Sequence, residues 1–276
     1  MIRFSKYIWL YMFISGLVLV PGTYSLIRWG LKPAIDFTGG TLIEIQSEKD
    51  LTRVNLPVSS IQKTTNNTYL LRMKEGADKL PTISGQILRN ETVGPVLGSE
   101  LLKKTITAAI VAIIAILLYV AYAFKNFKFG VAAITALIHD LLVVIGCFSL
   151  FGHFLGVEVD TLFVTAFLTT MSFSVHDTIV VFDRIREMTK RGDQLPFDHL
   201  ADRAMTETIG RSTANSFTII FMLLALALLG GETIRWFVIA LLIGTVSGTY
   251  SSPFVATPVL ILWDRWEKRK KGSRGI

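Results

Sequence analysis

The sequence predicts an all-α polytopic membrane bundle of six transmembrane helices, with a small α+β extracytoplasmic domain between the first and second helices. Three observations support this fold class. Apolar residues make up 51% of the chain, and the mean hydropathy of +0.51 is too high for a surface that faces water on all sides. Six apolar runs have the length of about 20 residues that crosses a bilayer as a helix. The polar segment of residues 30–104 separates the first run from the other five.

The six predicted spans share a low content of charged residues. Arg3 and Lys6 precede the first span, as in a signal peptide, but no clean small-x-small cleavage site follows, so this run is interpreted as a membrane anchor. Pro253 and Pro258 interrupt the last span, where a kink or tilt is expected. The spans are Ile8–Ile27, Thr105–Phe124, Phe129–Phe151, Thr161–Phe182, Ser212–Gly231 and Trp236–Trp263.

Lys and Arg are distributed unevenly between the two predicted sides of the membrane. Sixteen of the 28 Lys and Arg residues lie on the side that holds both termini. The short connectors on the other side, Gly152–Asp160 and Gly231–Arg235, carry only Arg235. Because short loops rich in Lys and Arg stay in the cytoplasm, both termini are predicted to be cytoplasmic. The basic tail Arg265–Arg274 is interpreted as an anchor on the lipid bilayer rather than a nucleic-acid site.

The extracytoplasmic segment is predicted to be rich in strands. Thr41–Ser47 alternates apolar and polar residues, which is typical of a half-buried strand. Tyr69–Met73 and Ile83–Arg89 are predicted as further strands, with turns at Asn66–Asn67 and Gly76.

The composition divides the chain into six parts. A cytoplasmic connector separates the fourth and fifth spans, and Pro196 opens an apolar pattern in it that predicts an amphipathic helix along the membrane face. The parts are residues 1–29 (first transmembrane helix), 30–104 (extracytoplasmic α+β domain), 105–182 (helices two to four), 183–211 (connector with amphipathic helix), 212–263 (helices five and six) and 264–276 (basic tail).

Charged residues inside the spans are the main candidates for function, because each costs about 2.5–3.5 kcal/mol at the bilayer centre on insertion scales. His139 and Asp140 lie near the middle of the third span. His176 and Asp177 lie nearer the cytoplasmic end of the fourth. Arg211 begins the fifth span on the same side, so a buried ion pair between Asp177 and Arg211 is predicted.

Polar residues of the fourth span fall on two neighbouring helical stripes. A polar surface is costly against lipid, so both stripes are expected to face a hydrated crevice inside the bundle. The first stripe contains Thr170, Ser174 and Asp177, and the second contains Thr165, Thr169, Ser172 and His176.

These residues predict a proton relay, in which protonation of Asp177 releases Arg211 and lets the helices shift. The alternative is that the two His-Asp pairs only hold helices together through hydrogen bonds. Sodium is a chemical alternative to the proton, since carboxylate and hydroxyl oxygens can coordinate it. The relay residues are Asp177, Arg211, Asp140, His176 and His139, with Thr170 and Ser174 as polar lining.

Several other kinds of site are not expected. The His-Asp pairs lack the i, i+4 spacing that grips a metal ion, and the chain has no glycine-rich phosphate loop or nucleophile elbow. No cofactor and no enzymatic activity are therefore predicted, and an ion gradient is the expected source of energy. A single cysteine, Cys147, excludes an intramolecular disulfide.

With these residues in view, the chain resembles the SecF family of protein-export subunits, which is related to the resistance-nodulation-division transporters. The resemblance covers nearly the whole length. Its motifs are Asp36-Phe37-Thr38-Gly39-Gly40, Val93-Gly94-Pro95, His139-Asp140, Ser174-Val175-His176-Asp177-Thr178, and Val181-Phe182-Asp183-Arg184-Ile185-Arg186-Glu187.

The resemblance implies a multi-pass subunit of the bacterial cytoplasmic (inner) membrane. It would act with SecD beside the SecYEG channel, using the proton-motive force to move the translocating preprotein outward late in export, with YajC as a candidate further partner. Asp177 and Arg211 match positions that the family links to proton conduction, whereas many relatives carry asparagine at the position of His176. Two alternatives stay open: a half-size proton-coupled small-molecule exporter of the same superfamily, and a non-transporting membrane scaffold.

Overall fold

The computed structural model describes residues 3–47, 51, 58, 60–63, 67–73, 85–123, 126–191 and 195–272. Within these residues, six helical segments are long and apolar enough to cross a membrane. A four-stranded sheet lies between the first and the second of these segments. The predicted fold class is therefore confirmed.

Most of the helices are longer than the apolar runs from which they were predicted, because turns containing polar residues extend them at the ends. One helix, α2, is a single turn. The helices are α1 Ile8–Trp29, α2 Ile35–Thr38, α3 Pro95–Ala123, α4 Phe127–Leu155, α5 Thr161–Lys190, α6 Phe197–Leu229, α7 Glu232–Ser251 and α8 Thr257–Gly272.

The last span is irregular where the sequence predicts a kink. A π-helix, Ser252–Ala256, joins α7 to α8. Pro253 lies at the second position of this segment, and it has no N–H to donate to the preceding turn, so the regular hydrogen-bond ladder is interrupted there. Pro258 lies in the first turn of α8, where a proline is better tolerated.

Helix α6 differs from the prediction for the cytoplasmic connector. The helix that was expected to lie along the membrane face begins near Pro196 but continues without a break into the fifth span. No proline and no glycine pair interrupts the sequence between Phe197 and Leu229, and Gly210 alone is tolerated inside a helix. The first turns of α6 bury Leu200 and Ala204 against the bundle, so they belong to the packed core.

The sheet is antiparallel, with β1 in its interior and the order β2-β3-β1-β4. Its core contains Ile43 and Leu71, both fully buried. Two of the predicted strands correspond to β1 and β3, and the third corresponds to β4, while Ile83 and the predicted turn at Gly76 lie outside the described residues. The strands are β1 Gly40–Gln46, β2 Ser60–Lys63, β3 Thr68–Met73 and β4 Gln86–Val93.

Contacts between distant segments place the two described ends of the chain on one side of the bundle. Ser5 donates a backbone hydrogen bond to Asp202 near the start of α6. Arg265 in α8 pairs with Asp198 in the first turn of α6 at 2.7 Å. This side is called the terminal side below, and the side that carries β1–β4 is called the sheet side.

Helix α5 lies at the centre of the bundle, between α4, α6 and α7. Helix α1 packs on α4 through small residues, because a Cβ on Gly22 would be 3.1 Å from Cα of Gly146. The hydroxyls of Ser25 and Ser149 hydrogen-bond across the same contact at 2.7 Å. Small residues allow close helix contact in membranes. In contrast, most of the apolar surface of α3 and α6 is not buried by the rest of the chain.

Candidate functional site

Asp140 lies in a cage of hydrogen-bond donors between α4, α5 and α7, and only 4% of its surface is exposed. Ser247 Oγ donates to Oδ1 at 2.5 Å. Ser174 Oγ and Ser251 Oγ each donate to Oδ2 at 2.6 Å. Nδ1 of His139 lies 3.0 Å from Oδ1. A buried carboxylate is costly unless donors satisfy its oxygens, and three hydroxyls and one imidazole do so here.

Glycines in α7 allow the hydroxyls to reach Asp140. A Cβ on Gly244 would lie 2.1 Å from Cγ2 of Thr170, and a Cβ on Gly248 would lie 3.2 Å from Cα of Ser174. These positions are one turn apart and face α5, so α7 approaches α5 closely. Thr170 itself donates to the carbonyl of Phe167 at 2.8 Å. Thr170 therefore packs beside the cage and is not one of the donors to Asp140.

His139 is buried beside Asp140, with 6% of its surface exposed. Its Nε2 atom is buried and has no hydrogen-bond partner among the described residues. The Tyr250 ring lies 6.1 Å away, centroid to centroid. Because Nδ1 is within hydrogen-bond distance of the carboxylate, the imidazole is part of the polar cage around Asp140.

Asp177 lies in a separate pocket on the α6 side of α5 and is half-buried. The hydroxyl side chains of Ser212 and Ser216 on α6 lie beside its carboxylate. A cavity of about 20 Å³ borders Asp177, Ser216 and Gly248. Gly248 also contacts Ser174, one of the donors to Asp140. The close contact between α5 and α7 therefore separates the two carboxylate sites.

The predicted ion pair between Asp177 and Arg211 is not formed in this structure. Arg211 is exposed and lines a cavity of about 510 Å³ on the terminal side, together with Asp183, Arg184 and Lys190. The reason is the rotation of α6. Its serines at positions 212 and 216 face Asp177, so position 211 points about 100° away from them.

The second predicted polar stripe does not face the interior of this chain. Its four members, all on α5, are exposed to the surroundings of the bundle: Thr165, Thr169, Ser172 and His176. The Thr165 and Thr169 hydroxyls donate to carbonyls one turn earlier in α5, at 3.0 and 2.7 Å. The expectation that this stripe lines a crevice within the chain is wrong for the described part, because α5 uses its other face to contact α4 and α7.

The acidic residue of the first motif joins the sheet domain to α5. Asp36 Oδ2 accepts from Thr161 N at 3.2 Å and from Thr161 Oγ1 at 2.9 Å. Asp160 caps the same helix end, since its Oδ1 accepts from Phe163 N at 2.7 Å. Burial, followed by the negative charge of Asp36, raises the pKa of Asp160 above its ordinary value.

The glycines of that motif pack directly on the second motif. Gly39 has a φ of +74°, and a Cβ there would lie 2.7 Å from Cα of Pro95. Gly40 has a φ of +126°, which also favours glycine. Phe37 is buried beneath this contact. The Gly94 carbonyl accepts a backbone hydrogen bond from the first turn of α3. The two motifs therefore form one structural joint between α2, β1 and α3.

The last motif forms surface ion pairs at the terminal end of α5. Asp183 pairs with Arg186 at 3.2 Å. Arg184 pairs with Glu187 at 2.5 Å and also with Glu207 on α6. These groups are largely exposed, so each pair contributes little to stability alone. Of these pairs, the one between Arg184 and Glu207 connects α5 with α6.

Four hydroxyl residues beside the two carboxylates were not predicted from the sequence. These are Ser247 and Ser251 at Asp140, and Ser212 and Ser216 at Asp177. Both pairs have i, i+4 spacing on helices that are otherwise largely apolar, a signal that places two hydroxyls on one helix face. Within the described residues, no group of three or more His, Cys, Asp or Glu side chains could hold a metal ion.

Comparisons with known proteins identify the family. The family model described as protein export membrane protein SecD/SecF, C-terminal, matches residues 74–266. The SecD/SecF GG motif matches residues 25–50. The chain belongs to the SecD/SecF family.

Individual relatives agree with this assignment. The protein translocase subunit SecF of Thermobaculum terrenum is 40% identical, over 93% of this chain and 92% of the relative. The SecF subunit of Anaerolinea thermophila is 38% identical, over 97% and 96%. The crystal structure of SecDF, a translocon-associated membrane protein from Thermus thermophilus, superposes with a TM-score of 0.84 at 30% identity. This likeness covers 96% of the chain and 39% of the SecDF chain.

The SecD/SecF match includes every element of the candidate site. Asp140, Asp177 and Arg211 lie inside the matched C-terminal region, and the joint from Asp36 to Gly40 lies inside the GG motif. The family assignment and the two carboxylate sites therefore concern the same part of the molecule.

Proposed function

We propose that this chain is a SecF-type subunit of the bacterial Sec translocase that acts with SecD and couples the proton-motive force to late-stage protein export. The observation that carries the proposal is the pair of carboxylates in the bundle. Asp140 is enclosed by hydroxyl donors, and Asp177 faces a cavity on the other side of the α5–α7 contact. Ionisable residues inside a membrane are expensive and mark ion pathways.

In the proposed cycle, protons bind and leave these two carboxylates. When Asp177 takes up a proton, its attraction to donors and cations weakens, and the contact with α6 loosens. One charge that crosses 100 mV yields about 2.3 kcal/mol, which is comparable to the cost of one buried charge. A single proton is therefore sufficient to change one such contact.

Arg211 takes part through rotation of α6. A rotation of about 100° would replace Ser212 by Arg211 at the Asp177 carboxylate. The present arrangement, in which serines lie beside Asp177 and Arg211 is exposed, would be one of the two states of the cycle. His139 and His176 lie next to the two carboxylates and would accept or donate protons there.

Two exposed surfaces support SecD as the partner. The polar stripe of α5, which includes Thr169 and His176, is costly against lipid and calls for a polar helix from another chain. Strand β4 is an edge in the described sheet, and Ile87 and Leu88 are about half exposed there. The SecYEG channel, the translocating preprotein and YajC are proposed as further partners on the basis of the family alone.

We further propose that the terminal side is cytoplasmic and that the membrane is the bacterial inner membrane. The excess of Lys and Arg on the terminal side supports this orientation. The sheet would then be extracytoplasmic, where it could reach an emerging preprotein.

The test compares export of a reporter preprotein into inverted membrane vesicles that contain the chain with its SecD. Wild type, Asp177→Asn, Asp140→Asn and Arg211→Met are measured with and without an imposed proton gradient. Wild type is expected to speed late export when the gradient is present, whereas the three variants insert normally and lose this response. A parallel series with a sodium gradient separates the two coupling ions.

Asp198→Asn serves as the matched control, because Asp198 lies near the surface of the terminal side on α6, where it pairs with Arg265. It should respond to the gradient like wild type. If the Asp177 and Asp140 variants also respond like wild type, the carboxylates only hold helices together and the chain is a scaffold. An unaffected reporter together with gradient-driven efflux of small molecules would instead favour the exporter.

A further inference from the structure

Asp202 on α6 is a buried carboxylate that the proton relay does not use. Only 1% of its surface is exposed. Its two oxygens accept from a single residue: Ser5 N donates to Oδ1 at 2.8 Å, and Ser5 Oγ donates to Oδ2 at 2.7 Å. Among the described residues, no cation forms an ion pair with it. Since a buried carboxylate must be satisfied by donors, its free energy depends on the position of Ser5.

The residue next to Ser5 extends the contact to the π-helix. The buried Phe4 ring lies 6.1 Å from Phe254, centroid to centroid. Tyr11 approaches the same ring at 4.6 Å. The Tyr250 hydroxyl donates to the carbonyl of Tyr11 at 2.8 Å. We name this set of contacts, which joins Phe4, Ser5 and Tyr11 to Asp202, Tyr250 and Phe254, the N-terminal latch.

The N-terminal latch borders a cavity of about 270 Å³ between α5, α6 and α7. Phe254 and Tyr250 line this cavity, as does Met205, which lies three residues after Asp202 on α6. Ser212 and Thr249 line another part of it. Ser212 lies beside the Asp177 carboxylate, and Thr249 also lines the small Asp177 cavity. The cavity therefore lies between Asp177 and the latch.

From this arrangement we propose that the N-terminal latch is the terminal-side gate of the proton pathway, with Asp202 as the residue that holds it closed. The proposal rests on the proposed function and adds a regulatory element to it. While Ser5 is bound to Asp202, the aromatic rings cover the cavity and separate Asp177 from the terminal side. When α6 moves, Asp202 moves with it, Ser5 is released, and protons pass between the cavity and water. Asp202 is a positioning residue, since it acts through Ser5.

The test measures passive proton flux into proteoliposomes that contain the chain with its SecD and an internal pH-sensitive dye. Asp202→Asn keeps one acceptor for Ser5 N but removes the charge and the second acceptor. It is expected to raise the proton leak about tenfold over wild type, a ratio that corresponds to about 1.4 kcal/mol at 25 °C. Asp198→Asn is the matched control, because Asp198 lies on the same helix at the surface. It should leave the leak at the wild-type level.

A second substitution distinguishes a gate from damage to the fold. If the leak passes through the proposed path, adding Asp177→Asn to Asp202→Asn should return it to the wild-type level. A leak that persists in the double variant is a nonspecific defect and overturns the proposal. A leak in Asp202→Asn no larger than that in Asp198→Asn overturns it as well.

A reversible lock completes the test. Ser5→Cys and Asp202→Cys are combined with Cys147→Ala, so that only the two new thiols remain. The reduced protein should leak, and oxidation should abolish both the leak and gradient-driven export until a reductant is added. Oxidation that leaves the leak unchanged contradicts a gate at this point.

The outcomes also separate the two proposals. If wild type itself shows no gradient-driven export, the proposed function fails. If wild type is coupled but Asp202→Asn does not leak, only the gate fails.

Discussion

The two carboxylates in the bundle lie in different physical environments. Asp140 is surrounded by short hydrogen bonds from three serines. Asp177 is half-buried and borders a cavity, with the hydroxyls of two serines of α6 beside it. A carboxylate with many donors holds its arrangement firmly, whereas one with few donors changes partners more easily. Of the two carboxylates, we expect Asp177 to exchange protons more readily, while Asp140 also stabilises the α4–α5–α7 contact from which α6 moves.

At this residue scale we predict that Ser174→Ala destabilises the protein by about 1.5–3 kcal/mol, the contribution of a hydrogen bond to a charged group. Its hydroxyl is buried and bound to Asp140 at 2.6 Å. Ser172→Ala is the matched control, since Ser172 lies on the same helix but is exposed, and alanine is the better helix former there. The measurement is thermal unfolding in lipid nanodiscs, followed by tryptophan fluorescence. Equal melting temperatures for the two variants would show that the cage contributes nothing to stability.

The sequence predicts the charged residues of the site but not the hydroxyls that surround them. His139, Asp140 and Asp177 are conspicuous because a charge inside an apolar run is costly. Ser247 and Ser251 lie more than 100 positions further along the chain, and their role depends on how α7 is rotated against α4. That rotation is set by packing. The ion pair of Asp177 with Arg211 was inferred from membrane depth alone, and the rotation of α6 excludes it in this structure.

At the scale of elements, the contact between α5 and α7 depends on glycine. Between packed helices, a missing side chain lets the backbones approach, and neighbouring hydroxyls then reach across. Gly244 and Gly248 perform this function opposite Thr170 and Ser174. The hydropathy of the sequence predicted that α5 and α7 exist, but neither the helix neighbours nor the π-helix at Pro253 follow from a pattern of apolar residues. The uninterrupted α6 is a similar example. The amphipathic pattern at its beginning predicts a helix but does not show where that helix ends.

We predict that Gly244→Ala destabilises the bundle by at least about 1–3 kcal/mol, the usual cost of overpacking. Its new Cβ would lie 2.1 Å from the Thr170 side chain, which is buried and has little room to move. Gly210→Ala is the control, since nothing lies within 4 Å of a Cβ at that position of α6. There alanine should stabilise the helix by about 0.5–1 kcal/mol. Thermal unfolding of both variants checks the opposite signs, and a neutral Gly244→Ala would mean that α7 can move away from α5 at no cost.

At the scale of the whole molecule, contacts of two kinds among the described residues attach the sheet to the bundle. One is the joint in which Asp36 binds Thr161 and Gly39 packs on Pro95. The other is an ion cluster, in which Glu158 in the α4–α5 connector pairs with Arg72 of β3 and with Lys32 at 3.5 Å. Motion of α5 would reach the sheet through both. The two-part architecture follows from hydropathy, whereas the cluster joins residues that are far apart in sequence and could not be foreseen.

We therefore predict that Glu158→Gln loosens the sheet from the bundle without unfolding the helices. Burial lowers the pKa of Arg72 to about 10, so Arg72 stays charged at neutral pH and loses its anionic partner in this variant. Removing one partner of a buried ion pair costs about 3–5 kcal/mol, and the lower end applies because 17% of the Arg72 side chain is exposed. Hydrogen–deuterium exchange in nanodiscs should become faster in β1 and β3 and stay unchanged in α4 and α5. Glu100→Gln, which removes an exposed i, i+4 pair with Lys104, should leave exchange unchanged both in β1 and β3 and in α4 and α5. If Glu158→Gln also leaves exchange in β1 and β3 unchanged, the joint at Asp36 and Gly39 alone holds the sheet, and α5 transmits its motion through that joint.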